Sequence, residues 1–165
     1  MRITVVEGDI TRQDVDAVVN AANSAMRGGG GVDGAIHRAG GRDVLEDCIN
    51  RFPDGLATGD AGWTTAGELP AQWVIHVVGP NRHAGQTDRG LLLSCYRRAL
   101  EVADELGAHT VAFPLVSAGV YGWPKDDAIA APLEVFRSAD TRVEEARLVA
   151  YDHATYEQIA GQLAD

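Results

Sequence analysis

Short apolar runs of strand length alternate along this chain with stretches in which apolar residues recur at helical spacing. The runs predict strands at residues 2–7, 17–20, 58–65, 73–78, 110–115 and 146–151. Helical spacing follows residue 33, residue 88, residue 126 and the last of these strands. Strands and helices that alternate in this way predict an α/β fold, specifically a three-layer α/β/α sandwich.

The stretch from Asn20 to Gly41 contains four consecutive glycines, Gly28 to Gly31, between a predicted strand and a predicted helix. Glycine leaves the backbone free to lie against a ligand, and amides at a helix start point outward with partial positive charge. A polyanion could therefore bind here without a lysine. Helical spacing continues through Ile49 to the turn at residues 52–55, so one long helix is expected.

The sequence also predicts an ion pair in one later helix and an irregularity in another. Arg97 and Glu101 are four residues apart on the outer side of the helix after residue 88, so they are expected to pair. Pro132 lies in the helix expected to start at Asp126 or Asp127, and proline past the first turn removes a hydrogen bond. That helix is expected to be kinked or to begin later.

A second loop of small residues, Val116 to Pro124, follows the predicted strand at residues 110–115. Ligands of α/β sheets collect beyond the carboxyl ends of the strands. Two such loops at one edge of the sheet predict a cleft that closes over a ligand from both sides. An ordinary glycine turn is the alternative for the second loop.

Polar residues beside the first loop are candidates for chemistry. Asn23 both donates and accepts hydrogen bonds, which suits the paired hydroxyls of a sugar. The helix dipole keeps Asp33 ionised in the first turn of the helix, so it is a candidate base or acceptor, with plain charge complementarity as the alternative. His37 shares that helix face. His76, inside an apolar strand, is interpreted as a hydrogen-bonded core histidine.

Two strand ends carry further candidates. Asp9 follows the first strand, where it either caps a local turn or accepts a hydrogen bond from a ligand's amino group. Tyr151 ends the last strand, where it either belongs to the core or stacks on a planar base.

Composition narrows the class of protein. The chain has 165 residues, 45% of them hydrophobic, which fits one compact domain over residues 1–165. A net charge of -10, with Lys125 as the only lysine, gives no basic stripe for a nucleic-acid backbone. No apolar run has the length of a signal or membrane segment, so a soluble, cytoplasmic protein is expected. Cys48 and Cys95 lack disulfide or zinc spacing and are expected to be buried thiols.

Several separate motifs stand in an order that resembles the macrodomain family, of the MacroD type, over nearly the whole chain. They are Gly8-Asp9-Ile10-Thr11, Asn20-Ala21-Ala22-Asn23, the glycine run with Val32-Asp33, residues 75–80, and Phe113-Pro114 with residues 117–122. The resemblance implies a mixed, mostly parallel sheet of about six strands. It also implies ADP-ribose binding, removal of single ADP-ribose groups from acidic side chains, and deacetylation of O-acetyl-ADP-ribose.

The resemblance assigns ligand-binding roles as well. It implies an acidic residue with its neighbour at the adenine amino group, an aromatic residue stacked on adenine, a first loop, and a second loop that wraps the diphosphate. The matching residues are Asp9 and Ile10, Tyr151, then Gly30, Gly31 and Val32, and finally Ser117, Ala118, Gly119, Val120 and Tyr121. The second loop reads Ser-Ala-Gly where many relatives have Ser-Thr-Gly.

The catalytic residues implied by the resemblance are Asn23, Asp33 and His37. Asn23 and Asp33 match the pair around the distal ribose, and His37 matches a nearby histidine on the same helix. An ester at an anomeric carbon has a good leaving group, so the protein mainly needs to position water and stabilise charge. Asp33 is expected to orient or deprotonate that water while Asn23 fixes the ribose hydroxyls. No metal or cofactor is expected.

The expected partners are ADP-ribose and mono-ADP-ribosylated proteins, with nucleic acid only as a modified substrate, and the chain is expected to be a monomer. A non-catalytic ADP-ribose reader is one alternative, because it would use the same contacts without chemistry. A nicotinamide dinucleotide enzyme is another, because Gly29, Gly31 and Gly34 fit the dinucleotide fingerprint, although a run of glycines produces this match by chance.

Overall fold

A computed structural model of the chain describes residues 1–165. The strands are β1 (Arg2–Glu7), β2 (Ala17–Ala22), β3 (Ala61–Thr65), β4 (Trp73–Val78), β5 (Thr110–Phe113) and β6 (Glu145–Ala150). The helices are α1 (Gly31–Gly40), α2 (Arg42–Arg51), α3 (Arg89–Leu106), α4 (Lys125–Ser138) and α5 (His153–Ala164). None of these helices combines the length and the apolar character needed to cross a membrane.

The strands form one sheet in the order β1-β6-β5-β2-β4-β3. All neighbouring pairs are parallel except β3 with β4. The predicted mixed, mostly parallel six-stranded sheet is therefore confirmed. Because β2 lies between β5 and β4, the loops that follow these three strands begin at one edge of the sheet, where ligands of α/β sheets bind.

Helices cover both faces of this sheet. On one face, Val18 and Val74 pack with Ile36 of α1. On the other face, Val19 and Ile75 belong to a larger core that includes buried residues of α3, α4 and α5. Successive strand residues point to opposite faces, which is why Val18 and Val19 lie in different clusters. The predicted three-layer α/β/α sandwich is confirmed.

The helical region after the glycine run is two helices, so the expectation of one long helix is wrong. Gly41 separates α1 from α2 with a φ of 85°, a left-handed conformation that residues with side chains rarely adopt. Its amide donates to the carbonyl of His37 at 3.0 Å, which ends α1. Apolar spacing alone does not detect this break, because it continues in phase across the glycine.

Expectations for α3 and α4 also need correction. Arg98, not Arg97, pairs with Glu101, and Arg98 also contacts Asp60 at 3.1 Å. Residues three apart are neighbours on a helix, and Asp60 adds a second carboxylate on the same side. The helix α4 continues through Pro132, so the expected later start is wrong. Pro132 is buried, and packing of this helix in the core offsets the hydrogen bond that proline removes.

Both cysteines are buried and free, as predicted. Burial, with the nearby carboxylates of Asp33 and Asp47, raises the pKa of the Cys48 thiol to about 11. Burial also raises the pKa of Cys95 to about 12. Both groups are therefore neutral thiols at physiological pH.

Glu145 links β1 to β6. Its carboxylate accepts hydrogen bonds from Arg147 Nε at 2.8 Å, Thr4 Oγ1 at 2.7 Å and Arg2 Nη2 at 3.2 Å. The Arg147 hydrogen bond, with the help of Thr4 and Arg2, outweighs burial and lowers the pKa of Glu145 to about 2 from 4.5. A carboxyl group whose pKa falls on folding stabilises the native state above its unfolded pKa, and this contribution is lost as the pH falls.

The variant Glu145→Gln is expected to lower the free energy of unfolding at neutral pH by about 2 kcal/mol, because hydrogen bonds to an ionised group are stronger than neutral ones. The wild type should lose stability as the pH falls from 4.5 toward about 2, and the variant should lose less over that interval. Urea unfolding followed by circular dichroism, at neutral pH and in acid, measures both effects. The same acid sensitivity in the two proteins would contradict this role.

Candidate functional site

A cleft of about 350 Å³ opens at the carboxyl ends of β2 and β5. The glycine loop after β2 forms one wall, and the loop after β5 forms the other. Of the predicted site residues, those that line the cleft are Asn23, Gly30, Gly31, Val32, Asp33, Ser117, Gly119, Val120 and Tyr121. The two loops that were predicted to close over a ligand therefore face each other across one space.

Asp33 is a buried carboxylate in the wall of the cleft. It lies in the first turn of α1 and is only 5% exposed. Its Oδ1 accepts a hydrogen bond from Nδ2 of Asn20 at 2.8 Å and lies 3.4 Å from Nε2 of His37. Its Oδ2 has no hydrogen-bond partner in the protein and would lie 3.1 Å from a Cβ at Gly29. One carboxylate oxygen is anchored, and the other is available to a ligand.

Asp33 is ionised in spite of its burial. Burial raises the pKa of this carboxyl group, but the nearby His37 imidazole and the hydrogen bond from Asn20 together outweigh that effect, so the pKa lies below its ordinary value of 3.8. The position at the start of α1 acts in the same direction, because the helix dipole favours an anion there. At neutral pH the cleft therefore presents a negative charge on an oxygen with no partner.

Asn23 faces the same space from the end of β2. Its Nδ2 donates to the carbonyl of Gly28 at 3.0 Å, while its Oδ1 is buried without a partner. A buried amide oxygen without a hydrogen bond costs free energy. A hydroxyl donor from a bound sugar would satisfy it.

Arg27 fixes the entry to the glycine loop. Its guanidinium group donates to the carbonyls of Met26 and Phe52 at 3.1 Å and to that of Pro53 at 3.3 Å. Phe52 caps the C-terminal end of α2, where the helix dipole favours a cation. The loop is held by Arg27 at one end and by the start of α1 at the other.

Trp123 holds the second loop in place. Its amide donates to the carbonyl of Ser117 at 3.1 Å, and its indole N–H donates to the carbonyl of Pro80 at 2.9 Å. Ser117 has a left-handed φ of 66°, and its buried hydroxyl has no partner. Backbone strain of this kind is typical of ligand clamps. Ser117 therefore carries a buried hydroxyl without a partner in the wall of the cleft.

Five predicted site residues do not line the cleft: Asp9, Ile10, His37, Ala118 and Tyr151. Asp9 accepts from the hydroxyl and the amide of Thr11 at 2.7 and 2.9 Å, so its interpretation as a turn cap is confirmed. These hydrogen bonds lower the pKa of Asp9. Tyr151 is 91% exposed directly after β6, so its interpretation as a core residue is wrong. Its stacking on a base stays a prediction.

Sequence analysis gave no role to three residues that shape this site. Asn20 anchors Asp33, Gly29 leaves room between Asp33 and Asn23, and Gly79 leaves room for Ser117, whose Oγ would clash with a Cβ at that position. The sequence signal for Asn20 was its position as a single polar residue at the end of an apolar strand. His76 is a hydrogen-bonded core histidine, as predicted. No group of three or more His, Cys, Asp and Glu side chains is arranged to hold a metal ion.

Solved structures with the same fold include proteins crystallised with nucleotides. A variant of the Oceanobacillus iheyensis macrodomain with ADPR has a TM-score of 0.91 at 35% identity, over 97% of this chain and 90% of that one. The Trypanosoma brucei macrodomain in complex with ADP-ribose has a TM-score of 0.89 at 32% identity, over 98% of this chain and 69% of that one.

Sequence relatives agree with these structures. A Macro domain-containing protein of Streptomyces coelicolor is 54% identical over 165 residues, or 98% of either chain. O-acetyl-ADP-ribose deacetylase 1 of Pantoea vagans is 46% identical over 162 residues, or 94% of this chain and 95% of that one. The family model described as Macro domain matches residues 19–131, which contain both loops of the cleft. The chain therefore belongs to the Macro domain family.

Proposed function

We propose that this macrodomain binds ADP-ribose and is a mono-ADP-ribosyl hydrolase that releases it from aspartate and glutamate side chains and deacetylates O-acetyl-ADP-ribose. The observation that carries the proposal is the ionised Asp33, whose Oδ2 is free beside Asn23 in the cleft. A carboxylate near a diphosphate weakens binding by repulsion. A protein that only binds ADP-ribose would therefore have a higher affinity without the Asp33 carboxylate. One relative is named an O-acetyl-ADP-ribose deacetylase.

The strand order supports an extended ligand. Across the sheet, Asp9 follows β1, Tyr151 follows β6, the second loop follows β5 and the glycine loop follows β2. Neighbouring strands are about 4.8 Å apart, so these four positions span about 14 Å. In the proposed complex adenine contacts Asp9 and Tyr151, the diphosphate lies between the loops, and the distal ribose reaches Asn23 and Asp33.

The start of α1 supports binding of the diphosphate. Gly30 and Gly31 have open space where a side chain would begin, so phosphate oxygens could approach the backbone closely. Amides at a helix start are unpaired donors, and the dipole adds a favourable field. Ser117 would add its free hydroxyl from the opposite wall. This arrangement suits a protein with a net charge of -10 and a single lysine.

In the proposed reaction, water attacks the anomeric carbon of the distal ribose, and the bond from that carbon to the target's carboxylate oxygen breaks. The electron pair of that bond leaves with the carboxylate. Asp33 Oδ2 holds the water and accepts its proton, directly or through a phosphate oxygen of the substrate, and Asn23 Oδ1 accepts from a ribose hydroxyl. The lowered pKa of Asp33 makes it a weak base, so positioning contributes more than proton abstraction.

O-acetyl-ADP-ribose would react at a different carbon. There the same water attacks the acetyl carbonyl, and the bond from that carbon to the ribose oxygen breaks. The ribose oxygen takes up the proton that the water loses, and acetate is released. No metal ion and no cofactor take part in either scheme.

The adenine contacts give a separate prediction. Asp9→Ala and Tyr151→Ala are each expected to weaken ADP-ribose binding by about 1–3 kcal/mol, through a lost hydrogen bond and lost stacking respectively. Isothermal titration calorimetry measures both. Thr11→Val is the control, because it removes a hydroxyl that Asp9 accepts from and leaves the carboxylate in place. Wild-type affinity in both alanine variants would put adenine elsewhere.

Two assays test the proposed function. The first measures release of free ADP-ribose from a glutamate-linked mono-ADP-ribosylated protein, and the second measures acetate released from O-acetyl-ADP-ribose. ADP-ribose affinity is measured alongside. Binding with release supports the hydrolase. Binding without release of either product would support a reader, and absence of binding would refute both.

A further inference from the structure

A row of buried polar side chains crosses the sheet beneath α1 and α2. Asn20 and His76 are directly paired on β2 and β4, and Thr64 lies on the neighbouring β3. All three residues have no exposed surface. Burial of polar groups costs free energy unless they are hydrogen-bonded, and the chemistry proposed above uses only Asp33 and Asn23. The row therefore needs its own explanation.

The hydrogen bonds of the row are consistent with one arrangement of hydrogens. Nδ2 of Asn20 lies 2.8 Å from Oδ1 of Asp33 and 3.1 Å from Nδ1 of His76. An amide nitrogen has two hydrogens, so it donates to both, and Nδ1 of His76 is an acceptor. The imidazole hydrogen then lies on Nε2, which donates to Oγ1 of Thr64 at 2.8 Å. The Thr64 hydroxyl in turn donates to the carbonyl of Thr65 at 3.0 Å.

Asn20 does not fix its own orientation, because its Oδ1 is buried without a partner. A rotated amide would turn that oxygen toward the ionised Asp33 and would give Asp33 a repulsive neighbour in place of a donor. In the correct orientation, Nδ2 of Asn20 also donates to the acceptor Nδ1 of His76, and this hydrogen bond favours that orientation. Complete burial lowers the pKa of His76 to about 3, so the imidazole is neutral and retains this acceptor.

We propose that Thr64 and His76 are positioning residues for Asp33: Thr64 fixes the hydrogen of His76 on Nε2, and Nδ1 of His76 then holds the Asn20 amide in the orientation that donates to Asp33. This leaves Oδ2 of Asp33 directed at the cleft. The consequence for catalysis rests on the function proposed above, whereas the consequence for the Asp33 carboxyl group does not.

Cys48 explains why the Thr64 hydroxyl is needed to keep the imidazole hydrogen of His76 on Nε2. Its Sγ lies 3.7 Å from Nε2 of His76, and its thiol is neutral. Without the Thr64 hydroxyl, the thiol donates to Nε2, and the imidazole hydrogen moves to Nδ1. The Asn20 amide then turns its oxygen toward His76 and also toward Asp33. Loss of the Thr64 hydroxyl on β3 would therefore change the hydrogen bonding of the Asp33 carboxylate in the cleft.

The first test compares Thr64→Val with Thr64→Ser. Valine has the shape of threonine without the hydroxyl, and serine keeps the hydroxyl. Thr64→Val is expected to lower kcat by on the order of 10-fold to 100-fold, since a misplacement of about 1 Å costs on the order of 100-fold. Thr64→Ser is expected to retain kcat, and ADP-ribose affinity should be unchanged in both. Equal kcat in the two variants would overturn the proposal.

The second comparison is His76→Asn with His76→Gln. The Asn amide reaches the position of Nδ1 and can accept from Asn20, whereas the Gln amide reaches the position of Nε2 and cannot. The proposal expects His76→Asn to retain more of the wild-type kcat. A role in packing alone predicts the opposite, because Gln fills more of the volume, and that order would overturn the proposal.

An NMR titration of the Asp33 carboxyl carbon tests the row without any assay of activity. The proposal expects the pKa of Asp33 to rise in Thr64→Val and in His76→Gln, because the donor from Asn20 is lost, and to stay at the wild-type value in Thr64→Ser. If the wild type releases no product, this titration still decides the positioning role, so failure of the proposed function is distinguishable. An unchanged Asp33 pKa in Thr64→Val, with folding verified by circular dichroism, would overturn the inference.

Discussion

Replacement of Asp33 by asparagine is expected to lower kcat for release of ADP-ribose by on the order of 100-fold to 10,000-fold, the contribution typical of a positioned acid–base group. Asparagine has the shape of aspartate, and its amide oxygen can accept the hydrogen bond that Asn20 now donates to Oδ1 at 2.8 Å. The atom that changes is Oδ2, which becomes an NH2 group. This group neither holds water as an acceptor nor takes its proton. The variant therefore tests the free oxygen rather than the fold.

ADP-ribose affinity is the control for Asp33→Asn. The variant is expected to bind ADP-ribose at least as tightly as the wild type, because a negative charge near the diphosphate is removed. Calorimetry measures this binding, and single-turnover release of ADP-ribose measures the chemical step. A variant that binds and still turns over at the wild-type rate would show that Asp33 takes no part in the reaction.

The pH dependence of kcat/KM in the wild type tests the same Asp33 carboxyl group. If Asp33 must be ionised, kcat/KM rises with pH as the carboxyl group loses its proton and is level above that pH. Because the pKa of Asp33 lies below 3.8, the rise should be complete well before neutral pH. An acid limb close to neutrality would instead show that a group other than Asp33 controls the pH dependence.

Features that depend on neighbouring residues were predictable from the sequence. The apolar run at residues 73–78 coincides with β4, because a buried strand needs apolar side chains on both faces. The glycine run predicted a loop before a helix, and this placed Asp33 in the first turn of α1. Asn23 and Asp33 were therefore assigned to one site, since both border that loop.

Features that depend on strand register or on backbone conformation were not predictable. Asn20 and His76 are 56 residues apart and meet because β2 and β4 pair in one register, which neither strand's own pattern specifies. Gly41 is one of 19 glycines, and only the fold determines that it has the left-handed conformation that ends α1. The polar row behind Asp33 and the break between α1 and α2 therefore appeared only in the structure.

The space between the two central side chains of the cleft is expected to be as important as the side chains themselves. A Cβ at Gly29 would lie 3.1 Å from Oδ2 of Asp33 and 3.3 Å from Nδ2 of Asn23. Gly29→Ala would therefore put a methyl group against Oδ2 of Asp33, the oxygen that is proposed to hold the water. We expect kcat to fall by on the order of 100-fold, the effect of a misplacement of about 1 Å in a positioned site.

Gly30→Ala is the matched control for this prediction. A Cβ at Gly30 meets nothing within 4 Å, and its φ of -96° is open to any residue. Gly29 also lacks a positive φ, so neither alanine strains the backbone and both variants should melt close to the wild type. Gly30→Ala is expected to alter KM more than kcat, since it touches only the approach of the ligand. Equal kcat values for the two variants would mean that the reaction does not use the space between Asp33 and Asn23.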